Sequence, residues 1–128
     1  SARTRTQMLY AVLCYNDEAV TTSWTQEEDD AVMAKLMVVH DQLYADKLLG
    51  PSIRLMPTTT ATTLRKSQDL VIDGPFAETK EQLLGFYIID VADLEAGLQV
   101  ARDLGKANPG GAYELRPINL YIPGMEIK

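Results

Sequence analysis

Two runs of apolar residues constrain the fold of this chain more than any other feature. Residues 8–15 are apolar at every position, and residues 85–89 consist of one glycine and four large apolar side chains. A strand with one face in water alternates apolar and polar residues, so unbroken runs of this length are typical of strands buried on both faces. A sheet built around them needs a covering layer on each side.

Two amphipathic helices are predicted to supply one of these layers. Thr25 and Glu28 have the spacing of a capping box, and this first helix is predicted to stop at Gly50. Asp93 is predicted to cap the second helix, which Gly105 ends. The first helix carries two adjacent apolar stripes, which are Val32, Leu36, Val39 and Leu43, and Met33, Met37, His40 and Tyr44.

The remaining segments complete an α+β pattern. Residues 53–56, 58–64, 70–72 and 113–117 are strand-like, and a turn is predicted at residues 66–69. The last strand either continues through Ile122 or bends away after Pro117. The element order β-α-β-β(-β)-α-β predicts an antiparallel sheet of four or five strands with two helices on one face.

The number of helices leads to a prediction about assembly. Two helices cover one face of the sheet, whereas the apolar runs predict that both faces are buried. An uncovered apolar sheet face would exceed the few hundred Å2 that monomers usually expose. A second copy of the chain, packed sheet against sheet, is therefore predicted to form a homodimer.

Length, charge and cysteine content narrow the protein class. The 128 residues predict a single domain over residues 8–122, preceded by a disordered polar tail at residues 1–7. A net charge of -6 argues against nucleic acid and against an anionic membrane surface as partners. No apolar run approaches the ~20 residues of a membrane span. The single cysteine, Cys14, is predicted to be a small buried hydrophobe in a cytoplasmic protein.

No cofactor or metal is predicted. The sequence has neither a P-loop nor a G-x-G-x-x-G motif for a nucleotide. One histidine and one cysteine do not provide the ligands of a zinc or iron site. An all-carboxylate site at Glu78 and Glu81 is possible on composition but has no spacing to support it.

A charged stretch at residues 73–82 is the main candidate for function. Gly74 permits a positive φ and Pro75 fixes its own φ, so the turn is predicted to be rigid. Asp73 is either presented at a cleft as an acid, base or hydrogen-bond acceptor, or it ties the turn to backbone N–H groups. Phe76 is predicted to plug the space beneath the loop.

The other ionisable groups also have two interpretations. Glu78, Lys80 and Glu81 could transfer protons if burial perturbs them, or they form a solvated charged loop. His40 lies in the second apolar stripe of the first helix. It is either a general base facing a cleft or a partly buried filler beside Tyr44.

These residues resemble a known family. Residues 73–81 (DGPFAETKE) and 85–91 (GFYIIDV) resemble the DGPF group of YCII-related proteins, and residues 93–96 and 114–117 fit the same pattern. The resemblance covers about residues 8–118 and implies a ferredoxin-like fold and a dimeric α/β barrel. It also implies a bacterial cytosolic protein of unassigned biochemical role, in a group with some members associated with extracytoplasmic-function sigma factors. Related YCII proteins are suspected enzymes with a His and Asp pair, whereas here Asn108 stands where that acid is expected.

Three functions follow from these observations. The first is a dimeric module that binds a small molecule, with Gly74, Pro75, Phe76, Glu78, Lys80 and Glu81 forming the polar rim. The second is an enzyme doing lyase- or isomerase-like acid–base chemistry with Asp73 and His40. The third is a regulatory domain that docks another protein. The first is preferred because no His and Asp pair is evident from the sequence.

Overall fold

The computed structural model describes residues 8–127, and the disordered tail predicted at residues 1–7 lies outside this range. Within it the chain forms six strands, three helices and one 3-10 turn. The elements in chain order are β1 (Met8–Asp17), α1 (Glu18–Thr21), α2 (Gln26–Ala45), β2 (Leu49–Arg54), a 3-10 turn (Thr58–Thr60), β3 (Thr62–Arg65), β4 (Leu70–Asp73), β5 (Glu81–Val91), α3 (Leu94–Ala107) and β6 (Ala112–Pro117).

The strands form two separate sheets. β1, β2, β5 and β6 make a four-stranded sheet in the order β2-β5-β1-β6, and every neighbouring pair is antiparallel. β3 and β4 pair only with each other, as a hairpin inserted between β2 and β5. The α+β class and the antiparallel sheet are confirmed. The structure adds α1, a single turn of helix between β1 and α2.

The core lies between the main sheet and the two long helices. On the inner face of the sheet, Val12, Ile89 and Val91 are fully buried. Leu36 of α2 and Leu104 of α3 belong to the same cluster of buried side chains, so both helices pack on this one face. Helix α2 begins with the predicted capping box. The Thr25 hydroxyl accepts from the backbone N–H of Glu28 at 3.1 Å, and the Thr25 N–H donates to the Glu28 carboxylate at 3.0 Å.

The prediction that α2 extends to Gly50 was wrong. The helix ends at Ala45, and Lys47 takes the left-handed φ of 59° that usually favours glycine. The N–H of Leu48 donates to the carbonyl of Leu43, and that of Lys47 to the carbonyl of Tyr44, which is the hydrogen-bond pattern of a Schellman motif. Gly50 and the proline after it lie inside β2 instead.

Other boundaries also differ from the predictions. Helix α3 runs through Gly105 to Ala107, because the positive φ values come later, at Gly110 and Gly111. Leu94, the first residue of α3, is 49% exposed and lies outside the core. The threonine-rich segment is a 3-10 turn before it becomes β3, and the last strand ends at Pro117.

The second face of the main sheet is apolar along its two central strands, β1 and β5, and carries the ion pair of Glu114 and Arg116 on the edge strand β6. Strand residues alternate between faces, so Leu9, Ala11 and Leu13 of β1 point away from the helices. Phe86 and Ile88 of β5 lie directly opposite Leu13 and Ala11 on the same face. These five side chains are half-buried by one another, while both long helices pack on the opposite side.

Two glycine substitutions should have opposite effects on stability. A Cβ at Gly85 would lie 2.3 Å from the backbone oxygen of Ile53 in β2, so Gly85→Ala should lower the free energy of unfolding by about 3 kcal/mol. A Cβ at Gly105 would meet nothing closer than 3.9 Å, so Gly105→Ala should raise it by about 1 kcal/mol through helix propensity. Urea unfolding followed by circular dichroism measures both. Equal effects would contradict the close approach of β2 to β5.

Candidate functional site

The hairpin of β3 and β4 carries the candidate site on one of its faces. The two strands pair over residues 62–65 and 70–73, and Thr63 lies directly opposite Ile72. Because side chains alternate along a strand, Arg65 lies on the same face as Thr63. Leu64 and Val71 form the other face and are 53% and 62% exposed.

The chain leaves this hairpin through a turn at Gly74. Gly74 has a φ of 109°, and its N–H donates to the carbonyl of Ala61 at 2.8 Å. The Thr63 hydroxyl donates to the carbonyl of Gly74 at 2.8 Å. Both backbone groups of Gly74 are therefore fixed, its N–H by Ala61 and its carbonyl by Thr63. The Asp73 carboxylate is exposed and accepts no hydrogen bond from residues 8–127, so it does not hold this turn.

A hollow lies beside the turn. Its volume is about 320 Å3, and it is open to solvent on one side. The turn returns the chain over the hairpin, so residues from both segments share the hollow. The lining residues are Thr63, Arg65, Ile72, Pro75, Phe76 and Glu78. Three of the predicted loop residues, Pro75, Phe76 and Glu78, are thus brought to a concave surface.

The Arg65 guanidinium stacks on Phe76. Its central carbon lies 5.0 Å from the centre of the Phe76 ring, within the range of a cation–π contact. Phe76 remains 73% exposed, so it is a wall of the hollow and not the buried plug that was predicted. Arg65 was missed in the sequence analysis. The alternation of Thr63, Leu64 and Arg65 would have placed it on the face of Thr63.

The remaining predicted loop residues lie outside the hollow. Gly74 shapes the turn, whereas Lys80 and Glu81 are exposed and lead into β5, where Glu81 lies opposite Asp17. The Gln82 side chain donates to the carbonyl of Ala77 at 2.8 Å and supports the loop between them. Of Glu78, Lys80 and Glu81, only Glu78 lines the hollow, and a proton-transfer role for the three stays a prediction.

His40 lies in the core between α2 and the sheet. It is 7% exposed, its Nε2 lies 3.3 Å from the Tyr87 hydroxyl, and its ring meets the edges of Tyr44 and Tyr87. Burial lowers the pKa of His40, and the nearby Asp41 carboxylate acts in the opposite direction. The imidazole is consequently neutral at pH 7.

Other ionisable groups of this layer are also held in their neutral forms. Burial raises the pKa of Cys14 to about 12 and that of Tyr113 to about 12, and it raises the pKa of Tyr87. The Asn108 side chain, beside Tyr113, offsets part of its shift, although neither Asn108 Oδ1 nor the Tyr113 hydroxyl makes a hydrogen bond of normal geometry within the described residues. A thiol that keeps its proton is a poor nucleophile, which agrees with a structural role for Cys14.

His40 and Asp73 are not joined in the structure. His40 is buried against Tyr87 of the main sheet, whereas Asp73 is exposed at the end of β4 in the separate hairpin. Neither side chain lines the loop hollow, and no hydrogen bond links them. A catalytic role for these two residues stays a prediction.

A second, more open hollow lies between α2 and α3. Its volume is about 620 Å3, larger than that of the loop hollow. Four of its lining residues are apolar and four are polar or charged; they are Val38, Val39, Leu43, Ala107, Lys35, Gln42, Asp103 and Lys106. It contains none of the predicted site residues.

Two general properties complete the description. Among residues 8–127, no group of three His, Cys, Asp or Glu side chains is arranged to hold a metal ion. None of the described helices is long and apolar enough to cross a bilayer.

The fold is that of an antiparallel α+β domain with an inserted hairpin. The sequence profile of the YCII-related domain matches residues 8–121, so the chain belongs to the YCII-related family. It is 59% identical over 120 residues to an uncharacterized protein of Rhizobium meliloti (strain 1021). That alignment covers 91% of this chain and 97% of the relative.

The buried His40 should make stability depend on pH. Its pKa is lower in the folded chain than the value of about 6.5 expected when unfolded, so the unfolded state binds the extra proton between these two values. The free energy of unfolding should therefore fall as pH drops below about 6.5, by up to about 1.4 kcal/mol for each unit of pKa depression. Urea unfolding of the wild type and of His40→Gln at a series of pH values measures the effect.

The difference in the free energy of unfolding between wild type and His40→Gln isolates the contribution of the histidine, because both proteins contain the same carboxylates. We expect the wild-type advantage to shrink from pH 7.5 to pH 5.5, and a constant or growing advantage would contradict a depressed pKa. Asp41→Asn is the matched test, because removing that carboxylate should lower the His40 pKa further in an NMR titration.

Proposed function

We propose that this protein is a dimeric small-molecule-binding module of the DGPF group, with ferredoxin-like subunits that form a dimeric α/β barrel. The observation that carries the binding function is the loop hollow, where the rigid turn at Gly74 brings Phe76 and Glu78 over the hairpin face that holds Arg65. The strand order β2-β5-β1-β6 supports the ferredoxin-like arrangement.

The lining of the loop hollow supports ligand binding. Its volume of about 320 Å3 falls at the lower end of the roughly 300–1,000 Å3 typical of small-molecule pockets. Ile72, Pro75 and Phe76 supply apolar contact, and Arg65 and Glu78 supply charge. A few polar groups that converge on an apolar surface are what fixes the orientation of a small ligand.

The outer face of the main sheet supports assembly. The central strands present an apolar surface on the side away from the helices, formed by Leu9, Ala11, Leu13, Phe86 and Ile88. Asp90 lies at one end of this surface, and the ion pair of Glu114 and Arg116 lies beside it on β6. A two-fold dimer with a partner sheet would cover this surface with an identical one. Such packing brings the two apolar faces to a separation of about 10 Å.

The accessible surface of the chain also supports a partner. A compact monomer of 14.2 kDa exposes about 6,800 Å2, whereas this chain exposes 9363 Å2. Part of the difference comes from residues 119–127, which are all exposed. A standard interface takes about 800 Å2 from each partner.

Light scattering coupled to size-exclusion chromatography tests the assembly. We expect the wild-type chain to have the mass of two chains at micromolar concentration. Ile88→Glu should shift it toward one chain, because the substitution places a charge in the centre of the proposed interface. Val38→Glu is the matched control, since Val38 is 71% exposed on α2 and lies on the opposite side of the sheet.

Two results would contradict the dimer. One is a wild-type mass of a single chain. The other is an equal loss of dimer in Ile88→Glu and Val38→Glu, with circular dichroism showing both variants folded. The same measurement on Gly105→Ala should give the mass of two chains, because that residue lies in α3.

A thermal-shift screen of a small-metabolite library tests the binding function. We expect at least one compound to raise the melting temperature of the wild type by several degrees, as mass action predicts for a ligand present well above its Kd. Phe76→Ala should remove most of that shift, because Phe76 forms a wall of the loop hollow. Asp73→Asn should keep it, because Asp73 lies outside the hollow.

The pattern across the variants decides the outcome. A library in which no compound shifts the wild type would contradict the binding function. A compound that stabilises the wild type and Phe76→Ala equally would move the site away from the loop. Loss of the shift in Asp73→Asn alone would favour the catalytic interpretation of Asp73.

A further inference from the structure

Arg65 differs from the other arginines that the structure describes. Arg54, Arg102 and Arg116 each form an ion pair with a carboxylate, at 2.6, 3.6 and 2.7 Å. Arg65 pairs with no carboxylate within residues 8–127 and is held instead by the ring of Phe76. The contact with the ring uses none of the guanidinium N–H groups in an ion pair, so they are available for a bidentate contact with a carboxylate.

Glu78 supplies the opposite charge in the same hollow. It lines the hollow with Arg65, yet no ion pair joins them or links Glu78 to another cation of the described residues. Two opposite charges that face one small space without neutralising each other can both be satisfied by a ligand that carries both signs.

The wall between the two charges is apolar. Phe76 and Pro75 come from the loop and Ile72 from β4, and all three line the hollow. An aliphatic or aromatic side chain on the ligand would cover this surface and gain about 25 cal/mol for each Å2 removed from water. Polar side chains on the ligand would lose this contribution.

We propose that the loop hollow binds a small apolar amino acid or a closely similar zwitterion. Arg65 binds the ligand carboxylate, Glu78 binds its ammonium group, and Phe76 and Ile72 contact its side chain. This inference builds on the binding function proposed above and names the class of ligand and the residues that select it.

Three compounds with the same side chain separate the contributions of the two charges. L-leucine carries both charges, L-leucinamide lacks the carboxylate, and 4-methylpentanoate lacks the ammonium group. Titration of each into the 15N-labelled full-length chain, followed by two-dimensional NMR, gives Kd values even when binding is weak. We expect leucine to bind at least tenfold more tightly than leucinamide and at least threefold more tightly than 4-methylpentanoate, with shifts at the residues of the hollow.

Charge variants should change which compound binds best. Arg65→Gln should raise the Kd of leucine and of 4-methylpentanoate at least tenfold and change the Kd of leucinamide little. Glu78→Gln should raise the Kd of leucine and of leucinamide, because both carry the ammonium group that Glu78 binds. It should lower the Kd of 4-methylpentanoate, because a carboxylate that repels this anion is removed. Arg102→Gln is the matched control. It makes the same change of charge on α3 and should leave all three Kd values within twofold.

Each of these two variants of the hollow is expected to weaken the binding of a different pair of compounds. A misfolded variant would instead weaken the binding of all three, so loss of folding can be told apart from loss of one charge. Equal Kd values for leucine and leucinamide, or an Arg65→Gln variant that binds leucine like the wild type, would overturn the assignment of the ligand class. If leucine does not bind while another library compound shifts the NMR resonances of the hollow residues, the ligand class is wrong and the binding function stands. If no compound of the library or the series binds, both are wrong.

Discussion

The antiparallel pairing of β1 with β5 is the interaction on which the rest of the subunit depends. It extends from Met8 opposite Val91 to Asp17 opposite Glu81, and it places Val12 and Ile89 on the face that the helices cover. The same register places Leu13 opposite Phe86 on the other face. One set of backbone hydrogen bonds therefore fixes both the core of the subunit and the apolar surface proposed to join two subunits. A shift of the register by one residue would exchange the two faces.

Most of the architecture could be predicted from local patterns, because local physics determines it. The capping box at Thr25 and Glu28 marks the start of α2 from four residues of sequence. The end of the same helix could not be found in this way. Lys47 adopts a conformation for which glycine is the usual signal, because a Schellman motif and the packing of Leu48 determine the chain direction there.

The candidate site was only partly accessible to such reasoning. The rigid turn at Gly74 follows from the order of residues in the loop, whereas the exposed position of Phe76 does not. The partners of the site residues do not follow from it either, because they depend on pairing between distant segments. Arg65 meets Phe76 only through the register of β3 with β4, and His40 meets Tyr87 across 47 residues of sequence.

The place at which the hairpin enters the sheet has an evolutionary consequence. β2 ends at Arg54, which lies directly opposite Gly85, and β5 begins at Glu81, so residues 55–80 leave and re-enter the main sheet at neighbouring points. Because this excursion makes its own two-stranded sheet, its length and chemistry can diverge among relatives while β2 and β5 keep their pairing. Such an arrangement allows the ligand specificity of the hairpin to change during evolution while the main sheet and its helices are retained.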